Sequence, residues 1–153
     1  VKNDVCIEMI NAKKCPSKID LITSFKLMSI YSGALDVSAI ENIIDNNGTV
    51  KNFPKLHSKI YLFDDEKAII TSANLTNGGM LRNFEYGIYL DEKSIVKTIV
   101  DDFNCLSSNE RTGLVKKSDI DIVKSILEKI PKSVSLKLPS FEIETPEENL
   151  DII

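Results

Sequence analysis

Two short apolar runs, residues 57–63 (HSKIYLF) and 68–73 (AIITSA), stand on either side of four consecutive charged residues, Asp64, Asp65, Glu66 and Lys67. Runs of this length and β-branched or aromatic character, joined by a polar break, read as an antiparallel hairpin. Symmetric closure about Asp65 and Glu66 pairs Phe63 with Ala68, Tyr61 with Ile70, Lys59 with Ser72 and His57 with Asn74. Strand residues two apart share a face, and directly opposed side chains have Cβ atoms about 4.5–5.5 Å apart. The expectation is a single polar patch of His57, Lys59, Ser72 and Asn74, sized for one phosphate group. A slip of one residue would scatter it.

Residues 84–90 predict a third strand after the loop 75–83, with Glu85, Gly87 and Tyr89 on one face. Turned toward the patch, the Glu85 carboxylate would bond one imidazole nitrogen, fix the tautomer and leave the other nitrogen free to attack. His57 is the sole histidine of the chain. A strand face carrying His, Lys, Ser and Asn is costly to bury unless something fills it, which points to a site. Asp64 is out of phase with His57 and Lys59 and reads as a turn residue bonding nearby backbone. Gly78 and Gly79 offer loop flexibility or exposed amides.

The spacing H-x-K-x4-D at His57, Lys59 and Asp64, with S-x-N at Ser72 and Asn74, resembles the HKD signature of the phospholipase D superfamily. The downstream N-x-E at Asn83 and Glu85 is similar to its single-HKD nuclease branch, which includes metal-independent nucleases and a restriction endonuclease. The resemblance spans about residues 18–105. It departs at Thr71, where the pattern usually has Gly and a β-branched residue is expected to crowd the phosphate pocket. The resemblance implies His57 as nucleophile and Lys59, Ser72 and Asn74 around the phosphoryl oxygens. It also implies Glu85 orienting the imidazole, Asp64 structural, and Lys55 and Asn83 on the substrate. One imidazole cannot be nucleophile and acid at once, and the family takes its two histidines from two HKD copies. With one copy here, the resemblance implies a homodimer sharing one active site.

No cofactor or metal is expected: one histidine, no HExxH and no DxDxDG leave no visible cage. Cys6, Cys15 and Cys105, odd in number and without CxxC spacing, are expected to be reduced thiols in a cytoplasmic protein. No apolar run reaches the roughly 20 residues of a membrane span. Net charge is −4, but residues 141–153 hold five of the 23 acids and no base, leaving 18 acids against 19 bases elsewhere. No acid lies between Asp45 and Asp64, where Lys51, Lys55 and Lys59 make the neighbourhood basic.

Along the chain, residues 4–14 space Val5, Cys6, Met9 and Ile10 as a helix, ended by Pro16 and Ser17. Residues 18–25 read as a buried strand, and Gly33 breaks an ambiguous stretch. Asp36 is placed to N-cap a helix through Ile40, Ile43 and Ile44, stopped by Asn46, Asn47 and Gly48. Residues 49–53 form a short strand. Two later helices carry Ile95, Ile99, Val100 and Phe103, then Ile120, Val123, Ile126, Leu127 and Ile130, with Ser118 as cap and Pro131 as stop. Residues 133–138 alternate as an edge strand, and an acidic tail over 139–153 is expected to be mobile. The fold class is thus α/β, a mixed β-sheet flanked by helices, with a phospholipase D-like catalytic domain over 1–138. The first residue is Val, so a fragment of a longer protein is expected, with room for a further domain.

The leading expectation is a metal-independent phosphodiesterase, a nuclease acting on DNA in preference to RNA. The alternative is a catalytically silent, dimeric nucleic-acid-binding or scaffolding domain of a larger helicase or restriction protein. Thr71 and a thin basic footprint keep that alternative in play, because nucleic-acid affinity is charge-driven.

Overall fold

The computed structural model describes residues 1–12 and 18–130. Its elements, in chain order, begin with α1 (Asn3–Ala12), β1 (Asp20–Thr23), α2 (Leu27–Tyr31), α3 (Val37–Asp45), β2 (Thr49–Asn52), β3 (Ile60–Phe63) and β4 (Lys67–Thr71). A π-helical turn (Gly78–Arg82), β5 (Gly87–Leu90), α4 (Lys93–Ser107), β6 (Gly113–Leu114) and α5 (Lys117–Lys129) follow. The edge strand expected over 133–138, the boundary at 138, the acidic tail and the stops at Pro16, Ser17 and Pro131 lie outside the described residues.

The parallel pair β1 and β2 sets the first layer, in register from Asp20 opposite Thr49 to Thr23 opposite Asn52. Parallel strands need a long crossover, and α2 and α3 supply it. The Ile40, Ile43 and Ile44 spacing puts one apolar stripe on α3, and Ile40 and Ile43 are fully buried. They join Cys6 of α1, Val50 of β2, Val115 just after β6 and Ile120 of α5 in the main core. The α3 helix stops as its sequence predicts. Asn47 adopts a left-handed φ of 62° and the Gly48 amide bonds the Ile43 carbonyl at 2.8 Å. A Cβ on Gly48 would lie 2.5 Å from Ile43 Cγ2 and 2.6 Å from the Ile19 carbonyl oxygen.

Two caps differ from expectation. Asp36 does precede α3, but its side chain makes no cap bond there. It accepts instead from the Asn3 amide and the Lys2 ammonium, each at 3.0 Å, and so closes the start of α1. Burial pushes this carboxyl up, but those two donors outweigh it and hold Asp36 below the usual carboxylate range. The last helix begins ahead of Ser118. Lys116 is its cap residue, and its amide donates to the Asp119 carboxylate at 2.8 Å.

The strands divide into two three-stranded sheets in place of one, with helices on their flanks. The first is mixed, β1-β2-β6, because the short β6 takes the free edge of β2 through Lys51 opposite Leu114 and Asn52 opposite Gly113. The second is the antiparallel β3-β4-β5. Its hairpin is one residue out of the expected register, with Phe63 opposite Lys67, Leu62 opposite Ala68 and Ile60 opposite Ile70. The cause lies in the turn. Asp64 and Asp65 both take left-handed φ, 51° and 56°, and the Glu66 amide bonds the Phe63 carbonyl at 3.0 Å. Two successive left-handed residues match the twist of paired strands, and Asp tolerates that conformation better than most side chains. The loop therefore takes three residues, and Lys67 becomes the first of β4.

Candidate active site

With the register shifted, Lys59 lies opposite Thr71 and not Ser72; the Thr71 amide bonds the Lys59 carbonyl at 3.1 Å. Regular pairing ends there, so residues 57–59 and 72–74 are extensions whose side chains follow local bonds and not strand alternation. Two polar groups result. On the β3 side, His57 is exposed and Lys59 partly buried. The Lys59 ammonium donates to the His57 carbonyl at 3.0 Å and lies 3.5 Å from Nδ1 of the ring.

On the β4–β5 side, the Ser72 hydroxyl donates to Oε2 of Glu85, and Nδ2 of Asn83 donates to Oε1 at 3.3 Å. The Ser72 oxygen also accepts from the Tyr86 amide at 3.1 Å, while the Ser72 amide donates to the Tyr86 carbonyl at 2.9 Å. The expected Glu85–imidazole contact is therefore not what forms. The carboxylate is taken by Ser72 and Asn83, because Ser72 turns toward β5 once it is off the Lys59 row. Asn74 is exposed, and its backbone lies against Gly79. Lys55 is exposed in the turn after β2, and Asp64 sits at the far end of β3 from His57, in the hairpin turn.

Tyr61 links the two sides. Its hydroxyl donates to the Ala73 carbonyl at 3.0 Å, which pins the segment between Ser72 and Asn74 to β3. Burial, and then the negative charge of Glu85, push its pKa up to about 12. An acid with a raised folded pKa loses stability once the unfolded chain ionises first. The Tyr61 contribution is thus complete below the usual tyrosine value of about 10 and drains as pH climbs toward 12. In urea titrations the unfolding midpoint is expected to fall between those two values, and Tyr61→Phe is expected to flatten that fall.

Thr71, expected from its departure from the motif to crowd the phosphate pocket, has its hydroxyl engaged by backbone of the neighbouring segments. Its hydroxyl donates to the Tyr86 carbonyl at 2.9 Å and accepts from the Ala73 amide at 3.1 Å. Its side chain occupies the space above Gly87, where an added Cβ would meet Thr71 Cβ at 3.0 Å and Oγ1 at 3.1 Å. Gly87→Ala is expected to cost about 1 kcal/mol. Most of that loss should vanish in a Thr71→Gly background, as a coupling above roughly 0.5 kcal/mol in a double-mutant cycle.

Lys51, counted among the site cations from sequence, points elsewhere. Its ammonium donates to the Ser107 carbonyl at 2.8 Å and hydroxyl at 2.7 Å, at the C-terminus of α4, where positive charge complements the helix dipole. Lys55 and Lys59 remain. Among the described residues no group of three His, Cys, Asp or Glu side chains is placed to hold a metal ion.

Sequence reasoning missed the positioning roles of Tyr61, Gly79 and the Thr71–Gly87 pair. Of these, Gly79 alone carried a signal: a glycine pair in a loop beside candidate site residues marks a close backbone approach as readily as flexibility.

The third strand, expected over 84–90, is confined to Gly87–Leu90, so Glu85 lies in the segment that leads into it. A family model described as cardiolipin synthase, PLD-like domain, matches residues 1–107, which covers every candidate site residue. The chain therefore belongs to the phospholipase D superfamily, through a PLD-like domain. At the level of class, this makes it a phosphodiesterase-type enzyme. No curated protein and no solved structure matches it.

Proposed function

We propose that the protein is a nuclease that hydrolyses phosphodiester bonds without a metal ion, in an active site shared by two copies of the chain. The observation that carries this reading is the His57–Lys59 pair, an exposed imidazole with an ammonium 3.5 Å from Nδ1, beside a hydroxyl bonded to a carboxylate. Phosphodiester cleavage needs a nucleophile, a proton donor for the leaving oxygen and positive charge at the phosphoryl oxygens. These side chains supply all three, provided that a second imidazole is present.

An ammonium only donates, so while Lys59 bonds Nδ1 the neutral ring carries its proton on Nε2. Substrate draws Lys59 onto a non-bridging oxygen and lets Nδ1 take the ring proton, which frees the Nε2 lone pair. Nε2 of one His57 then attacks phosphorus, forming an N–P bond as the P–O bond to the leaving group breaks. The partner subunit's His57, entering as imidazolium, gives its proton to the departing alkoxide. Water next attacks the phosphohistidine, loses a proton to the partner's His57, and the N–P bond breaks to release phosphate monoester and free imidazole. Lys59 and Asn74 stabilise the non-bridging oxygens, Ser72 assists, and Lys55 and Asn83 contact substrate beyond the reacting phosphate. Glu85 acts through Ser72 and Asn83 in the substrate-free arrangement.

A specific observation favours the second reading, a silent binding or scaffolding domain: Glu85 bonds Ser72 and Asn83, in place of the contact that would orient the His57 ring. The two are separated by incubating plasmid, single-stranded DNA, RNA, a phosphatidyl lipid and a chromogenic phosphodiester with the protein in EDTA. The nuclease reading expects EDTA-resistant cleavage of nucleic acid and of the chromogenic diester. Nucleic-acid binding with no turnover would replace it by the silent domain, and cleavage of the lipid alone by a lipid hydrolase.

A further inference from the structure

Phe84 and Tyr86 are 82% and 77% exposed, beyond any other aromatic side chain among the described residues. Their ring centroids are 5.3 Å apart with planes at 86°, an edge-to-face pair. Such a pair holds each ring in a fixed attitude, so it is a preformed surface and not two independent side chains. Its location is specific. The rings flank Glu85 in sequence, and the Tyr86 backbone is bonded at both its amide and its carbonyl to Ser72, with Thr71 on the same carbonyl. The aromatic pair is thus tied by short bonds to the segment that carries Ser72 and Asn74. Arg82, at the end of the π-helical turn, adds an exposed cation two residues before Phe84.

From this juxtaposition we infer that Phe84 and Tyr86 form a stacking platform for unpaired nucleobases next to the scissile phosphate, making single-stranded nucleic acid the favoured substrate. The inference rests on the phosphodiesterase reading for the placing of that phosphate. Every base presents a π-face, so stacking is tolerant of sequence, and it is available only where bases are not already stacked in a duplex. A strand whose phosphate sits against Ser72 and Lys59 carries its neighbouring bases within a nucleotide of these rings. The thin set of lysines at the site is consistent with affinity shared between charge and stacking.

The test is fluorescence anisotropy on the full chain, with a labelled thymidine single strand and a strand of equal length and charge lacking bases. Each stacked base is worth about 5- to 150-fold in affinity. The base-bearing strand is therefore expected to bind at least about 10-fold more tightly, and more tightly than the same sequence as a duplex. Phe84→Leu and Tyr86→Leu keep apolar bulk and are each expected to reduce the preference for bases by about 5-fold or more. Equal affinity for the two strands in the unaltered protein overturns the platform without recourse to any variant. So does a preference that survives in the double variant. Binding to phosphatidylglycerol vesicles with no preference between the strands also overturns it and assigns the rings to lipid. Turnover of a chromogenic diester, measured alongside, reads the chemistry separately. Turnover without base preference overturns the platform alone, while base preference without turnover supports the rings as a base-binding surface and overturns the hydrolase reading, and with it the placing beside a scissile phosphate.

Discussion

His57→Ala is expected to lower EDTA-resistant phosphodiester hydrolysis by at least about 10⁴-fold, because in the proposed shared site one substitution would remove both the nucleophile and the proton donor. General acid–base assistance alone is typically worth about 100- to 10,000-fold, and loss of the covalent route adds to it. Stability should hardly move. The ring is exposed and contacts the ammonium of the partly buried Lys59, and surface changes of this kind stay within about 0.5 kcal/mol. The measurement is single-turnover hydrolysis of a chromogenic diester, with urea unfolding as control. An unchanged rate would remove His57 from the chemistry, whatever the fate of the fold.

The next largest effect is expected from a residue that touches no substrate. A Cβ on Gly79 would stand 2.5 Å from the Asn74 carbonyl oxygen and 2.8 Å from its amide nitrogen. Both obstacles are backbone, so neither can rotate aside. Gly79→Ala must therefore push the π-helical turn away from Asn74 or carry Asn74 with it. The expected cost is about 1–3 kcal/mol of stability, together with a fall in kcat on the order of 100-fold if Asn74 holds the phosphoryl oxygens as proposed. Gly78→Ala, one residue earlier, is the control. There the nearest atoms to a new Cβ are side-chain atoms of Asn83 at 3.5 and 3.6 Å, ordinary contact distances, and the change should be within about 0.5 kcal/mol. Equal behaviour of the two variants would mean that the close approach at Gly79 does not position Asn74.

The contrast between adjacent glycines shows what a sequence can and cannot tell. The pair marked a loop, but which of them carries a neighbour's backbone depends on how residues 74–79 fold back, and that is a tertiary fact. The hairpin was legible for the opposite reason. Its strands are written in the apolar runs before Phe63 and after Lys67, and its break in four charges. Its register was not, because a shift of one pair depends on Asp64 and Asp65 both turning left-handed, which hydrophobic alternation does not encode. The stripe on α3 and its stop at Asn47 and Gly48 were written locally and form as read. The side chain of Asp36 was not, since it is claimed by Asn3 and Lys2, distant in sequence. Lys51 was misplaced on the same grounds, its partner Ser107 being reached only through packing of α4. Two-residue β6 is too short to show any period, yet by closing the edge of β2 it decides that the strands form two sheets.

At the site, the polar residues could be picked out from the sequence and their pairings could not. His57 and Lys59 lie on one strand end, and their proximity follows from a two-residue spacing. Ser72, Asn83 and Glu85 meet just beyond the end of β4 and ahead of β5, where the outcome turned on the register just described. What joins the halves is the Tyr61–Ala73 bond, from a residue that strand alternation puts on the face of His57 and Lys59 but whose partner across the hairpin depends on the register.

The most direct measurement of the central proposal is a subunit-mixing titration. His57→Ala chains are added to unaltered chains at constant total concentration and allowed to re-equilibrate, and hydrolysis is followed in EDTA. If each active site needs an imidazole from both copies, activity follows the square of the unaltered fraction, and an equal mixture retains about one quarter of full activity. Retention of about one half, falling linearly with dilution, would mean that each chain works alone and would contradict the shared site.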